Sequence, residues 1–445
     1  MDIIGLIPSF GGVLYTIAAF VIALLIIVAV HEYGHYIVGR WTGIHAEVFS
    51  LGFGPVLWSR VDRRGTRWQL AALPFGGFVK FLGDSDAASG KDADAIANMD
   101  PDTRRHTMHS APLWARASTV AAGPIFNFIM SIAIFAAVIG VRGTASDPLT
   151  IAALHPVPLA QGLQAGDEIL AIGGSKTPEL ENLGSYVADE LSDDMAQTYT
   201  VRRDGRELDV AGIHPYPAIV QAVSPGSAAI DAGLEAGDFI QSVNGEIVET
   251  FAALREIVGN SEGNALTLGI WRDGQDVQVI LLPRRMDLPL AEGGFETRWL
   301  IGITGGMAFV PETESPGVLG SLGYGVEQTY FIVKSSLSGL YYMATGAISS
   351  CNMRGPIGIA QTSGEVASQG LTSFIWFIAV LSTAVGLLNL FPVPVLDGGH
   401  LVFHAYEAVA GRPPSDRALR VLMAIGLTLI LSLMVFALSN DLTCP

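Results

Sequence analysis

Charge is what this sequence has little of. Only 15% of its 445 residues are Asp, Glu, Lys or Arg, against about a quarter in an ordinary soluble domain. That shortage excludes a wholly water-exposed protein. Bases are scarcer still: 25 Lys and Arg face 42 Asp and Glu, a net charge of −17. Nucleic acid is therefore not an expected partner, because a phosphate backbone calls for a basic face. Two cysteines, Cys351 and Cys444, are too few for a disulfide scaffold or a zinc site made of cysteine alone. One bridge between them is open, without support from spacing. The 51 glycines follow no G-X-Y period, so collagen is excluded. Apolar residues are abundant, at 50% of the chain and a mean hydropathy of +0.43. This is the composition of a membrane protein with some aqueous mass.

Four segments have the roughly 20 apolar residues that a bilayer crossing needs: 11–30, 117–141, a run inside 366–396, and 421–440. The first lacks the basic leader of a signal peptide and is too long for its apolar core, so it is expected to be a span. Orientation follows the bases that flank the spans. The loop after the first span carries Arg40, Arg60, Arg63, Arg64 and Lys80 among others, and the loop before the last carries Arg412, Arg417 and Arg420. Both loops, at 46–112 and 399–420, are expected in the cytoplasm, with both termini and residues 142–365 on the far side. A fifth uncharged stretch, 335–353, is rich in Ser, Gly and Tyr and is expected to lie on the outer face, within a linker at 291–365.

The far-side block contains a repeat. Gly162-Leu163-Gln164-Ala165-Gly166-Asp167 returns 71 residues later, from Gly166 to Gly237, as Gly233-Leu234-Glu235-Ala236-Gly237-Asp238. Each copy is followed by a turn (Gly173-Gly174; Asn244-Gly245) and by a basic hairpin (Arg203-Asp204-Gly205; Arg272-Asp273-Gly274). A period this long is a tandem domain. The pattern resembles PDZ domains, at 143–214 and 215–290, which bind extended peptides at a sheet edge. Two small β domains without a ligand would also satisfy it.

His31-Glu32-Tyr33-Gly34-His35 is H-E-x-x-H. On a helix, positions i and i+4 share a face, so two imidazoles can meet one metal with Glu32 beside them as a base. The motif stands where an apolar span ends, and ionisable groups at that depth are costly enough to demand a function. A hydrolytic zinc site takes three protein ligands and leaves a place for water. Asp397, the first charge after the third run, reaches the same membrane depth only if 335–353 does not cross. Pro392 and Pro394 interrupt the helix just before it; irregular backbone at that depth is tolerated when it lines a wet cavity, although a plain helix stop is the alternative. His400 and His404 form a rival pair without a Glu between them, whereas His45, His106, His109, His155 and His214 are expected at the surface. Ala122-Gly123-Pro124 and Asn127 are expected to pack the second span against the active-site helices, with support of the metal ligands by Asn127 as the alternative.

These residues together resemble the site-2 proteases. The matching features are His31-Glu32-x-x-His35, Gly52-Phe53-Gly54, Pro74-Phe75-Gly76-Gly77-Phe78-Val79-Lys80, Ala122-Gly123-Pro124-x-x-Asn127, Gly355-Pro356-Ile357 and Asn389-x-x-Pro392-x-Pro394-x-Leu396-Asp397-Gly398-Gly399. They occur in family order over nearly the whole chain. Only the acidic stretch 84–102 is idiosyncratic. The resemblance implies a polytopic α-helical membrane protein of four transmembrane helices, with two tandem extracytoplasmic PDZ-like α+β domains and a membrane-associated β-hairpin at 46–81. It implies an intramembrane zinc metalloprotease of the bacterial inner membrane: His31, His35 and Asp397 binding Zn2+, Glu32 activating water, and Asn389, Pro392 and Pro394 contacting unwound substrate. The implied partners are the lipid bilayer, single-pass membrane proteins of the anti-sigma factor type after a first cut, and signal peptide remnants. Three competitors share parts of this pattern. They are an inactive membrane-anchored PDZ scaffold, a non-haem iron site built on two His and one carboxylate, and a related protease acting on a pro-sigma factor.

Overall fold

The structure, a computed structural model, describes residues 6–85, 93–178, 180–290 and 294–444. Residues 86–92 of the acidic stretch lie outside them. The chain divides into two units: residues up to 138 with 320–344 and 350 onward, and residues 139–319 with 345–349.

Among the described residues, four helices are long and apolar enough to cross a membrane: Gly12–Trp41, Leu113–Arg142, Leu371–Asn389 and Arg417–Thr443. They are the first to fourth spans below. The first belongs to a helix that begins at Leu6. Its buried stripe runs Ala19, Ala23, Ile27 and His31 at intervals of four, so the metal-motif histidine continues the packed face. Ala23 and Ile27 meet Ile378 of the third span, flanked by Met130 and Ile134 of the second. Lipid tails give little hydrophobic drive for such contacts, so small residues and polar bonds do the joining. Gly34 abuts the Ala122 carbonyl of the second span, 2.5 Å from where a Cβ would stand. The hydroxyls of Ser131 and Ser382 cross between the second and third spans, donating to Ala379 O at 2.8 Å and Asn127 O at 2.9 Å.

The third span is shorter than the run 366–396. Val366 belongs to a separate helix, Pro356–Ser368, and Gly370 breaks the two apart at φ +115°, a backbone conformation that glycine alone adopts freely. That helix starts without a side-chain cap on Gly355. Instead Asp441, from the end of the fourth span, accepts the N–H groups of Gly355, Ile357 and Gly358 at 2.7, 3.0 and 3.1 Å, where a carboxylate suits a helix N-terminus. A Cys351–Cys444 disulfide, Cα to Cα 5.6 Å, closes the same junction. The fifth uncharged stretch is displaced as well: the helix there is Gly317–Ala344, and 350–352 is a single 3-10 turn.

Strands Ala46–Val61 and Arg67–Phe81 form an antiparallel hairpin beside the first span. Phe49, Val79 and Phe81 pack with Tyr36 of that span in one cluster.

The second unit holds two four-stranded antiparallel sheets of the same order. One is built from Ser175–Lys176, Glu168–Ile172, Ala196–Arg203 and Arg206–Ile213, and the other from Glu246–Ile247, Phe239–Val243, Leu266–Arg272 and Gln275–Leu281. Helices Leu180–Asp189 and Phe251–Gly259 occupy equivalent places. The repeated motifs explain themselves here. Arg203 grips the buried Asp167 with two bonds, 2.7 and 2.6 Å, and also bonds Gly162 O at 2.8 Å. Arg272 repeats this on Asp238 and Gly233 O, at 2.6, 2.6 and 2.8 Å. Residues expected in a linker form strands instead: Ile303–Gly305 pairs with Val220–Val223, and Phe309–Pro311 pairs with Ile151–Leu154.

Candidate metal centre

His31, Glu32 and His35 lie within the helix of the first span, which runs on to Trp41, and the third ligand candidate arrives from a different helix. After Asn389 the backbone leaves helical geometry, and a new helix, Asp397–Ala410, begins on Asp397 itself. Gly398 lies against the carbonyls of Leu390 and Phe391, and Gly399 against Val393. Any side chain at either position would collide with this turn, so the paired glycines let the new helix fold back and present Asp397.

Three donor atoms converge. His31 Nε2 is 3.1 Å from Asp397 Oδ2, His35 Nε2 is 3.5 Å from the same oxygen, and the two nitrogens are 3.2 Å apart. Among the described residues this is the one group of three His, Cys, Asp or Glu donors close enough to share an ion. Asp397 Oδ2 is buried, yet it makes no hydrogen bond of acceptable alignment despite both imidazoles beside it. Donors held at about 2.0–2.1 Å by a tetrahedral ion stand about 3.3 Å apart, which the triangle matches. The donor set of two imidazoles and one carboxylate, with a side open to a cavity, fits zinc. His35 is further fixed by its Nδ1, 2.9 Å from Thr119 O. A carbonyl can only accept, so the proton sits on Nδ1 and Nε2 is left free as a ligand.

The cavity beside this triangle is about 310 Å³. Glu32 lines it, together with Gly77, Phe78 and Val79 of the hairpin and Asn389. Gly77 lies against Val28 and Glu32, which brings the hairpin to the edge of the site. Pro392 and Pro394 sit in the 390–396 turn outside the cavity lining, with Pro394 facing Gly426 of the fourth span. His400 and His404 line the cavity but do not join the triangle.

Several residues near the site carried no such signal in the sequence. His109, expected at the surface, lines the cavity with Nε2 3.2 Å from the buried carboxylate of Asp84. In the second unit, His214, also expected at the surface, is only 2% exposed. Gly123 lies directly under the His31 and His35 rings, where a Cβ would overlap His35 Nε2. Asn127 reaches His31 Nδ1 at 3.2 Å. The pattern A-G-P-x-x-N marks close packing and leaves a supporting role for Asn127 behind the metal ligands open; that His31 is the imidazole it reaches is decided by the fold.

The sequence pattern of peptidase family M50 matches residues 19–433. The chain belongs to that family. A protein of Agrobacterium fabrum carrying a zinc metalloprotease name is 36% identical to it, over 96% of this chain and 95% of that protein. The regulator of sigma-E protease RseP of Escherichia coli is 32% identical over 96% and 98%, and the protease RseP of Yersinia pestis is 32% identical over 97% and 99%. This M50 chain is a zinc metalloprotease of the site-2 type, with zinc as its cofactor. The four helices that are long and apolar enough to cross a membrane make it a multi-pass membrane protein.

Proposed function

We propose that His31, His35 and Asp397 hold the zinc ion and that Glu32 is the general base of an intramembrane endopeptidase. The observation that carries this reading is the 3.1–3.5 Å triangle of donors beside a Glu-lined cavity. Zinc, when bound, lowers the pKa of water toward about 7 and polarises the scissile carbonyl. Glu32 takes the proton of the attacking water and delivers it to the leaving amine. Asn389, on the rim beside Asp397, donates to substrate backbone, and the Pro392–Pro394 turn holds the chain open next to it. A helical peptide bond is shielded by its own hydrogen bonds, so substrate must unwind before attack. The unpaired edge of the 46–81 hairpin can take such a strand by β-augmentation.

The two repeats are PDZ-like domains at 143–214 and 215–290. They lie with both termini on the periplasmic side and limit which substrates approach, and the basic loops and the zinc end of the first span face the cytoplasm. Substrates are single-pass membrane proteins of the anti-sigma factor type after a first extracytoplasmic cut, in an envelope stress response, and signal peptide remnants. The supports are the names of the RseP relatives, the repeat, and the distribution of bases.

The test is Glu32→Gln in the full chain, with a single-pass substrate in the same membrane. Cleavage should vanish while zinc content stays near that of the parent. Undiminished cleavage refutes the role of Glu32. A parent protein that binds no zinc supports the inactive scaffold instead.

A further inference from the structure

His109 lines the same cavity of about 310 Å³ as Glu32 and residues 77–79 of the hairpin, yet it is no part of the donor triangle. Its Nε2 is buried 3.2 Å from Oδ1 of Asp84, a contact that is close though not aligned as a hydrogen bond. The Asp84 side chain is fully buried and is itself fixed, because its Oδ2 accepts the N–H of Phe81 at 3.0 Å. Phe81 ends the second hairpin strand. The N–H of Met108 donates to Leu82 O at 3.1 Å, so the backbone beside His109 is tied to the hairpin as well. The other ring nitrogen is free. Among the described residues His109 Nδ1 makes no hydrogen bond, and unlike Nε2 it is not buried, so it is open to the cavity.

An extended chain carries hydrogen-bonding groups on both of its edges. A substrate strand laid on the hairpin satisfies one edge only. The other edge presents peptide groups at membrane depth, where each one left unpaired is costly. We infer that His109 is a substrate-binding residue, its open Nδ1 holding a peptide group on the second edge of the substrate strand beside the cut, while Asp84 anchors the ring from behind. An imidazole suits this task, because one nitrogen is held by the protein and the other faces the ligand. Asp84 joins the ring to the end of the strand, so hairpin and imidazole meet the substrate as one piece, set before the substrate arrives. This inference rests on the reading of the cavity as the place of peptide cleavage.

The experiment uses the full chain in detergent micelles with a single-pass substrate, and reads KM, kcat and zinc content. Two amides tell the ring nitrogens apart, since the Asn carboxamide ends near the place of Nδ1 and the longer Gln carboxamide near that of Nε2. His109→Gln keeps a polar group against Asp84 and leaves the cavity side bare. It should raise KM about 3–10-fold, the cost of one hydrogen bond, with kcat and zinc content within about twofold of the parent. His109→Asn restores a polar group on the cavity side and should keep KM near the parent value. A merely structural role of His109 predicts the reverse order. Unchanged KM in His109→Gln, or an equal rise in both variants, overturns the inference. Should His109→Asn lose zinc or unfold early, His109→Gln decides alone by the same KM. Glu32→Gln separates the two levels. If it cleaves undiminished, the reading of the cavity fails; if it is inactive while His109→Gln keeps the parent KM, only the role of His109 does.

Discussion

Asp397 Oδ2 stands 3.1 Å from His31 Nε2, although the two residues come from opposite ends of the chain and from different helices. The contact exists because the third span stops at Asn389 and a second helix restarts on Asp397. Asp397→Ala should remove one corner of the donor triangle and leave two imidazoles without a carboxylate. Zinc per chain, measured by elemental analysis after purification without added metal, should fall well below that of the parent. An unchanged zinc content rules out Asp397 as a ligand.

Gly123 gives a second prediction. Its Cα supports the His31 and His35 rings with no room for a methyl group. Gly123→Ala should push both imidazoles out of place, lowering zinc affinity and cleavage together by more than tenfold, since ligand placement is held to fractions of an ångström. Gly323, in the helix Gly317–Ala344, has open space where a Cβ would stand. Gly323→Ala should therefore be neutral, or stabilising by up to about 1 kcal/mol. Equal behaviour of the two variants in chelator competition would refute the steric account.

A third concerns what aims the Asp397 helix. Arg116 of the second span bonds Glu407 of that helix through two nitrogens, at 3.0 and 2.7 Å, with side chains only 15% and 18% exposed. Exposed pairs contribute about 0–1 kcal/mol, whereas breaking a buried one costs about 3–5 kcal/mol. A partly buried, two-pronged pair should fall between them. The double-mutant cycle Arg116→Met, Glu407→Gln, followed by thermal unfolding, should give a coupling of about 1–3 kcal/mol. Zinc affinity should weaken in both single variants.

The repeats predict an acid response. Burial pushes the Asp167 carboxyl up, but hydrogen bonds from Arg203 and the Gln164 N–H outweigh it and hold the group below the usual carboxylate range. A carboxyl depressed in the folded state stabilises it at neutral pH. That contribution is lost as pH falls below the unfolded value of about 3.9 and through the lower folded value. Asp167→Asn should lower stability at pH 7 and flatten its decline in acid, read by protease resistance of the full chain across that range. A parallel decline in both proteins would refute the sign.

Much of the site was legible because its chemistry is local. His31, Glu32 and His35 lie within one helical turn, and the face they share follows from 3.6 residues per turn. Asp397 was legible for a different reason: it is the first charge after an uncharged run. The surroundings were not. Asn127 and Gly123 read as packing residues, and the pairing of His109 with Asp84 has no sequence signature, because each contact joins segments far apart in the chain. The strands at 303–311 read as linker because short strands are defined by partners, here Val220–Val223 and Ile151–Leu154.

The sequence by itself determined the solvent and the reaction class. Four long apolar runs must leave water, and a His-Glu-x-x-His turn at the end of one of them can serve little besides a metal. The tertiary structure alone decided how closely Asp397 approaches the two imidazoles, which carbonyl and amide lie against their other nitrogens, and where the two cysteines meet. Hydropathy and helical periodicity act along the chain within a few residues, whereas ligand geometry depends on distances between helices. Close contacts such as Gly34 on Ala122 and Gly123 on His35 set those distances only once the helices are packed.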